Sequence, residues 1–404
     1  MSTKMDREGF RGQILGLDVY DTHTHLVGRS LAGRDFWEIG EYFWLLEELQ
    51  AAGYPRSLGE LSEDRRIDAY VKAFGETRNT SMNWVTRRIF EDLYGIDITD
   101  GASVRTADEA VREASARPDW PARVAKKIGL KRIVVNVEGD ADFRNLPDVS
   151  VLVPRIEGPI EEWLSAIMEA KDQRVEAERV SDRIYDTLAG YRRLGCPGIM
   201  FALERMALKT HGASESLKAS GNSRDEALTF VLSRIAGAAE TNGLFIQLFL
   251  GVEGGWNSMG FAMGNDPDRV VKLHGLFESH ACDFELVLGS EMSHLDAVQA
   301  ARAYPNVYVG GQWWFNFRVS TYLDSMQKRL EALPPSKCSL VVSDGRCIEW
   351  CYGKILLVKR LLADFLFDRI QQGWLDREEA LRVAREWLYG SAAGRYKSVL
   401  SAEG

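Results

Sequence analysis

Apolar, β-branched runs that alternate with helix-patterned stretches limit most narrowly how this chain can fold. Residues 14–20, 131–137, 149–156, 198–203, 244–251, 284–289, 307–311 and 339–343 each read as a short buried strand, because brief apolar runs bounded by turn residues suit strands covered on both faces. Helical patterns separate nearly all of them, and eight βα units are the count of a (β/α)8 barrel. An open doubly wound sheet is the other arrangement considered, but no run is followed by the Gly-x-Gly-x-x-Gly of a dinucleotide site. The expected fold is therefore α/β, a TIM-like (β/α)8 barrel forming one domain over residues 1–404.

Residues 30–120 hold more helix than a crossover needs. Phe36, Ile39, Phe43, Leu46 and Leu49 follow helical spacing and stop at Gly53-Tyr54-Pro55, and Thr77-Arg78-Asn79-Thr80 is a polar break with capping residues. This helical insertion comes directly after strand one. It is expected to lie over the barrel mouth and to bring Tyr42 or Trp44, and Arg78, towards that strand's end. Arg78 suits a helix cap or an interhelix ion pair equally well.

A net charge of −9 argues against a nucleic-acid footprint, which needs a basic stripe. No apolar run approaches the ~20 residues of a membrane span. Residues 1–11 are polar, without the apolar core of a secretion signal. The five cysteines are scattered and odd in number, which fits a reducing cytoplasm; Cys347 and Cys351, four apart, read as structural thiols on one helix face. The expected partner is a small-molecule substrate, with a homo-oligomer left open.

The stretch Asp21-Thr22-His23-Thr24-His25 closes the first run. Alternate residues of a strand share a face, so His23 and His25 point the same way and can hold one divalent metal. The plainer alternative is a pair of buried, hydrogen-bonded histidines. Barrel sites lie at the C-terminal strand ends. That rule adds Arg155 and Glu157, Glu204, Phe249 and Glu253, Glu291 and His294, Trp313 and Trp314, and Asp344 and Arg346. Strands one and eight are neighbours in a closed barrel, so Asp344 can face the same metal and act as general base. Its alternative is a helix cap in the Ser343-Asp344-Gly345 turn, and that of Arg346 a solvated surface cation.

His23-Thr24-His25 with Asp344 resembles the amidohydrolase superfamily. Thr77-Arg78-Asn79-Thr80, Gly311-Gln312-Trp313-Trp314-Phe315-Asn316 and Ser343-Asp344-Gly345-Arg346 resemble the uronate isomerases more closely, over about residues 17–395. The double Trp followed by Asp-x-Arg is the more specific part. The resemblance implies conversion of glucuronate or galacturonate to the matching ketose acid. It also implies one metal held by His23, His25 and Asp344, usually zinc, with manganese or iron as alternates. Asp344 would move the proton and Arg346 would pair with substrate.

Three departures bear on substrate. Phe249 replaces the strand-five His of that family's Gln-x-His-x-Gly. Phe43-Trp44, beside Tyr42, replaces its His-Tyr. Glu157 takes the place of a carboxylate-binding Arg, with Arg155 two residues earlier. A carboxylate in place of a cation disfavours an anionic substrate. Phe43, Trp44, Phe249, Trp256, Trp313, Trp314 and Phe315 either line one pocket, which then fits a ligand flatter or more apolar than an open-chain sugar acid, or belong to the core. The sequence thus predicts a proton-transfer isomerase acting on something other than an ordinary uronate. A metal-dependent hydrolase, deaminase or lyase, and a non-catalytic binding barrel, are the alternatives.

Overall fold

The computed structural model describes residues 6–26, 31–57, 61–136, 149–202, 223–250, 268–289, 291–313 and 317–397. Helix α1 (Arg7–Leu15) starts at Asp6, whose carboxylate accepts the Gly9 N–H, and buries Phe10 and Ile14 four residues apart. That helix takes residues 14 and 15, which the apolar pattern alone assigns to strand one. Strand β1 (Val19–Thr24) therefore begins later and runs through the motif itself, with all six residues buried.

The insertion follows as α2 (Phe36–Gly40), α3 (Phe43–Ala51), α4 (Glu63–Glu76), α5 (Ser81–Ile89), α6 (Gly101–Ser115) and α7 (Trp120–Ile128). The alternation then runs β2 (Leu130–Val135), β3 (Ser150–Leu152), α8 (Glu157–Glu169), α9 (Gln173–Arg193), β4 (Gly198–Phe201), α10 (Arg224–Asn242), β5 (Phe245–Leu250), α11 (His274–Ser279), β6 (Phe284–Leu288), α12 (His294–Ala303), β7 (Val307–Gln312) and α13 (Val319–Ala332). Helices α14 (Ile348–Gln371), α15 (Arg377–Arg385) and α16 (Ser391–Arg395) close the described chain. None of the helices described is long and apolar enough to cross a membrane.

Every strand pairing is parallel. One sheet has the order β1-β2-β3 and the other β4-β5-β6-β7. Residues 339–343, the eighth run, are extended without forming a full ladder. Single bridges join Val309 to Cys338 and Thr24 to Gly345, and another joins Arg155 to Met200 between the two sheets. Thr22 N–H donates to Val341 O and Asp344 N–H to His23 O, so this run lies against β1. From β5, the Gln247 amide reaches across to donate to Thr22 O on β1 at 2.9 Å. A separate buried apolar cluster takes Tyr20, Val134, Val153, Met200, Phe249, Val287 and Val342 from seven of the eight runs, with Trp313 from just beyond the end of β7.

The start of α14 grips the insertion. Glu349 accepts from Gly33 N–H, Tyr94 OH and Trp120 Nε1, and Trp350 Nε1 donates to Ile39 O. Because α14 begins just after Asp344, these contacts anchor the insertion at the strand ends that carry the motif. The Thr77–Thr80 break is a capping turn, in which Thr80 caps α5 by accepting the Asn83 N–H. Arg78 sits exposed in that turn, between the Thr77 that ends α4 and the Thr80 that caps α5, and is not among the described residues lining the pocket.

Candidate metal centre and pocket

The two threonines of the motif fix β1 between its neighbours. Thr22 Oγ1 donates to Val341 O and Thr24 Oγ1 to Val134 O. His23 and His25 fall on the other face, their rings 4.9 Å apart and nearly perpendicular. Asp21, also on that face and fully buried, accepts the Ser343 N–H at 2.9 Å and so ties the eighth run to β1. Burial pushes its carboxyl up to about 7.

Asp344 is the one non-glycine residue with positive φ (54°) among those described. Asp tolerates the left-handed region better than most side chains, and such conformations concentrate at functional sites. Gly345 completes the turn, since a Cβ there would lie 2.5 Å from Cys351 Sγ and 3.1 Å from Cys351 N. Tyr42 OH donates to the backbone carbonyl of Asp344, and its ring stacks on Trp350 at 4.2 Å. The turn places Asp344 Oδ1 3.1 Å from His23 Nε2 and 2.9 Å from His25 Nε2. One ligand atom from each of the three residues lies within 4.8 Å of the others.

These residues fit a metal on two counts. First, the Asn136 amide donates to Val153 O at 3.0 Å, which turns its Oδ1 towards His23 Nδ1 at 2.6 Å. His23 Nδ1 must then carry the proton, and neutral His23 presents an Nε2 lone pair to a carboxylate oxygen. Two lone pairs at that distance need a cation between or beside them. Second, ligand atoms around one tetrahedral zinc at ~2.1 Å sit roughly 3.4 Å apart, near the 3.1 and 2.9 Å that separate Asp344 Oδ1 from the two imidazoles. Burial pushes His23 down to about 4, which favours the neutral, ligating form.

Asn136 is a site residue that the sequence reading missed. It directly follows strand β2, and the same C-terminal-end rule applied to that strand points to it. Replacing it with Leu leaves His23 Nδ1–H without its acceptor. Zinc affinity of Asn136→Leu is expected to fall about 10- to 100-fold, as read by competition with a chromophoric chelator. Unchanged affinity would contradict the tautomer assignment.

A pocket of about 230 Å³ opens on the triad, lined by His23, His25, Phe43, Trp44, Arg155, Met200, Ala202, Trp313, Asp344 and Arg346. Of the sequence candidates, Trp44, Arg155, Trp313 and Arg346 therefore come together with the triad. Phe249 is buried one layer back, 4.4 Å from the His23 ring and edge-on to Trp313 at 4.9 Å. Tyr42 acts on the Asp344 backbone from behind the pocket wall. His294 is buried at the start of α12 and pushed down to about 3 by burial; it does not line the pocket. Glu291 contacts Thr321 and Arg318 instead. Trp314, Glu204, Glu253, Trp256 and Phe315 lie outside the described residues.

Glu157 requires a correction. It opens α8, and its carboxylate accepts from Arg155 Nη2 at 2.9 Å and Ala202 N–H at 3.0 Å. Glu157 is therefore Arg155's own counter-ion. It presents no unpaired negative charge to a ligand, and Arg155 is the residue that lines the pocket.

No protein-family model and no curated protein sequence matches the chain. Solved structures do. A uronate isomerase from Bacillus halodurans C-125 superposes with a TM-score of 0.74 at 16% identity, covering 100% of both chains. One from Thermotoga maritima gives 0.77 at 14% identity over 97% of each chain. The chain has the uronate isomerase fold. A Lactobacillus casei ATCC 334 protein named only provisionally as a metal-dependent hydrolase is also similar, with a TM-score of 0.62 at 13% identity over 96% of this chain and 97% of its own. At these identities the likeness speaks for the fold.

Proposed function

We propose that this chain is a metal-dependent enzyme on a (β/α)8 barrel, with the insertion over its mouth, that moves a proton between carbons of a small carboxylate-bearing substrate. The bridges flanking both sheets, and the one buried cluster fed by seven of the eight runs and by Trp313 just past β7, support the barrel. The observation that carries the function is the convergence of His23, His25 and Asp344 at the floor of a pocket bearing two guanidiniums. The three residues would hold one divalent ion, zinc by the softness of imidazole, with manganese or iron as alternates. When bound, that ion supplies Lewis acidity towards a substrate oxygen.

Asp344 meets both imidazoles through Oδ1, and Oδ2 takes no hydrogen bond from a described residue. Oδ2 is the atom assigned to receive the substrate proton and return it to the neighbouring carbon. Arg346, 4.8 Å over the Phe43 ring, supplies a fixed positive charge for the developing negative one. Arg155, held by Glu157, orients the carboxylate.

Ordinary uronates are expected to be poor substrates, because the apolar side chains lining the pocket leave their hydroxyls few partners. For glucuronate and galacturonate kcat/KM should fall below about 10² M⁻¹ s⁻¹, against about 10⁴ or more for an enzyme on its own substrate. Incubating the zinc-loaded protein with small hydroxy and keto acids in D2O tests the reaction. Deuterium should enter at carbon, and Asp344→Asn should abolish it. Efficient uronate turnover would refute the substrate reading. Bond cleavage without exchange at carbon favours the second reading, a hydrolase or lyase, in which Asp344 takes its proton from water; the hydrolase-like structural neighbour supports it.

A further inference from the structure

We infer that the pocket selects a small monocarboxylate with a flat, conjugated body rather than a polyhydroxylated acid. This rests on the proposed function and names its substrate class. Apart from the triad and the two arginines, the lining side chains are Phe43, Trp44, Met200, Ala202 and Trp313, all apolar in body. Among the described residues lining it there is no Ser, Thr, Asn, Gln or Tyr. A sugar acid would bring several hydroxyls to walls whose described side chains offer them no hydroxyl or amide. Each buried hydroxyl without a partner lowers affinity about tenfold.

The charged groups are set for one anion. Glu157 engages Arg155 through Nε (3.4 Å) and Nη2 (2.9 Å), leaving Nη1 without a hydrogen bond to a described residue. Arg346 has no carboxylate partner among the described residues, and its guanidinium lies over Phe43. Arg155 with Glu157 is neutral, and Arg346 with Asp344 is neutral. A divalent ion then leaves the site positive, which favours a single negative group. The aromatic walls are themselves braced. Phe249 sets Trp313 edge-on. Trp44 packs on Phe317 at 5.5 Å, and the buried Lys354 ammonium lies 3.6 Å from the Phe317 ring centre and 5.3 Å from that of Trp44. Fixed aromatic faces suit a planar π-system, for which stacking adds to area burial.

Calorimetric titration of the zinc-loaded protein with benzoate, cyclohexanecarboxylate, benzamide and D-glucuronate tests this. Benzoate should bind at least tenfold tighter than glucuronate and measurably tighter than cyclohexanecarboxylate. Benzamide, without the charge, should bind at least tenfold more weakly than benzoate. Arg155→Met should weaken benzoate about tenfold, and Trp313→Leu should erase its advantage over cyclohexanecarboxylate. Glucuronate binding as tightly as benzoate, or no binding of any of the four, overturns the inference. Zinc content measured on the same samples separates the two claims. Stoichiometric zinc with glucuronate preferred removes only the substrate class. Absence of zinc removes the metal reading, and the same titrations on the metal-free protein still report on the arginine pair and the walls.

Discussion

Asp344→Asn should lose zinc affinity by about thirtyfold to several thousandfold, the range expected when one partner of a buried charged contact is removed at a cost of about 2–5 kcal/mol. Asn has nearly the same shape and tolerates positive φ as well as Asp does, so the turn at 344 should survive. What disappears is the negative charge between His23 and His25 and, among the described residues lining the pocket, the only carboxylate placed to accept a proton from substrate. Zinc competition titrations and deuterium exchange at carbon should therefore fail together while the circular dichroism spectrum stays native. Zinc affinity within threefold of the native protein would mean that Asp344 is not a ligand.

The second large effect concerns stability. Lys359, on α14, is fully buried, and its ammonium donates to Leu15 O at 2.9 Å, Leu17 O at 2.6 Å and Ile128 O at 2.7 Å. All three ammonium protons are used. They tie the end of α1, the entry to β1 and the end of α7 into one junction. Gly129 lies against it with φ 74°, and a Cβ there would come 2.7 Å from Leu17 O. Lys359→Met keeps the apolar stem and strands three carbonyls. Unsatisfied buried polar groups cost about 1–3 kcal/mol each, and partial relaxation brings the sum to about 3–5 kcal/mol. Urea denaturation should show that loss as a lower midpoint at unchanged slope. A loss under about 1 kcal/mol would show that water or backbone movement replaces the ammonium.

Residues whose role follows from local period were legible in the sequence. His23 and His25 lie two apart in a strand, and Asp344 ends the run that lies against that strand. Both statements need only strand geometry and the order of the runs. Trp44, Arg155, Trp313 and Arg346 fall at strand or helix ends, where the same logic reaches. Charge pairing was harder to read. Glu157 looks like a repulsive substitution until its two-residue offset from Arg155 is seen to make the pair self-neutralising. Asn136 is a single amide with no motif, and its meaning comes from Val153 fixing which end faces His23. Strand one begins later than the apolar run implies, because the capping carboxylate of Asp6 and the Phe10–Ile14 spacing define a helix that the run obscures. Lys359 was invisible, since its three acceptors come from segments more than 200 residues distant in sequence.

The account's central claim is that one divalent ion sits on His23, His25 and Asp344. X-ray absorption at the zinc edge, on protein loaded with zinc and dialysed against metal-free buffer, tests it most directly. The expected result is about one zinc per chain with two imidazole nitrogens and at least one carboxylate oxygen at about 2.0–2.2 Å. Zinc below about a tenth per chain, with manganese and iron equally absent after the same treatment, would contradict it.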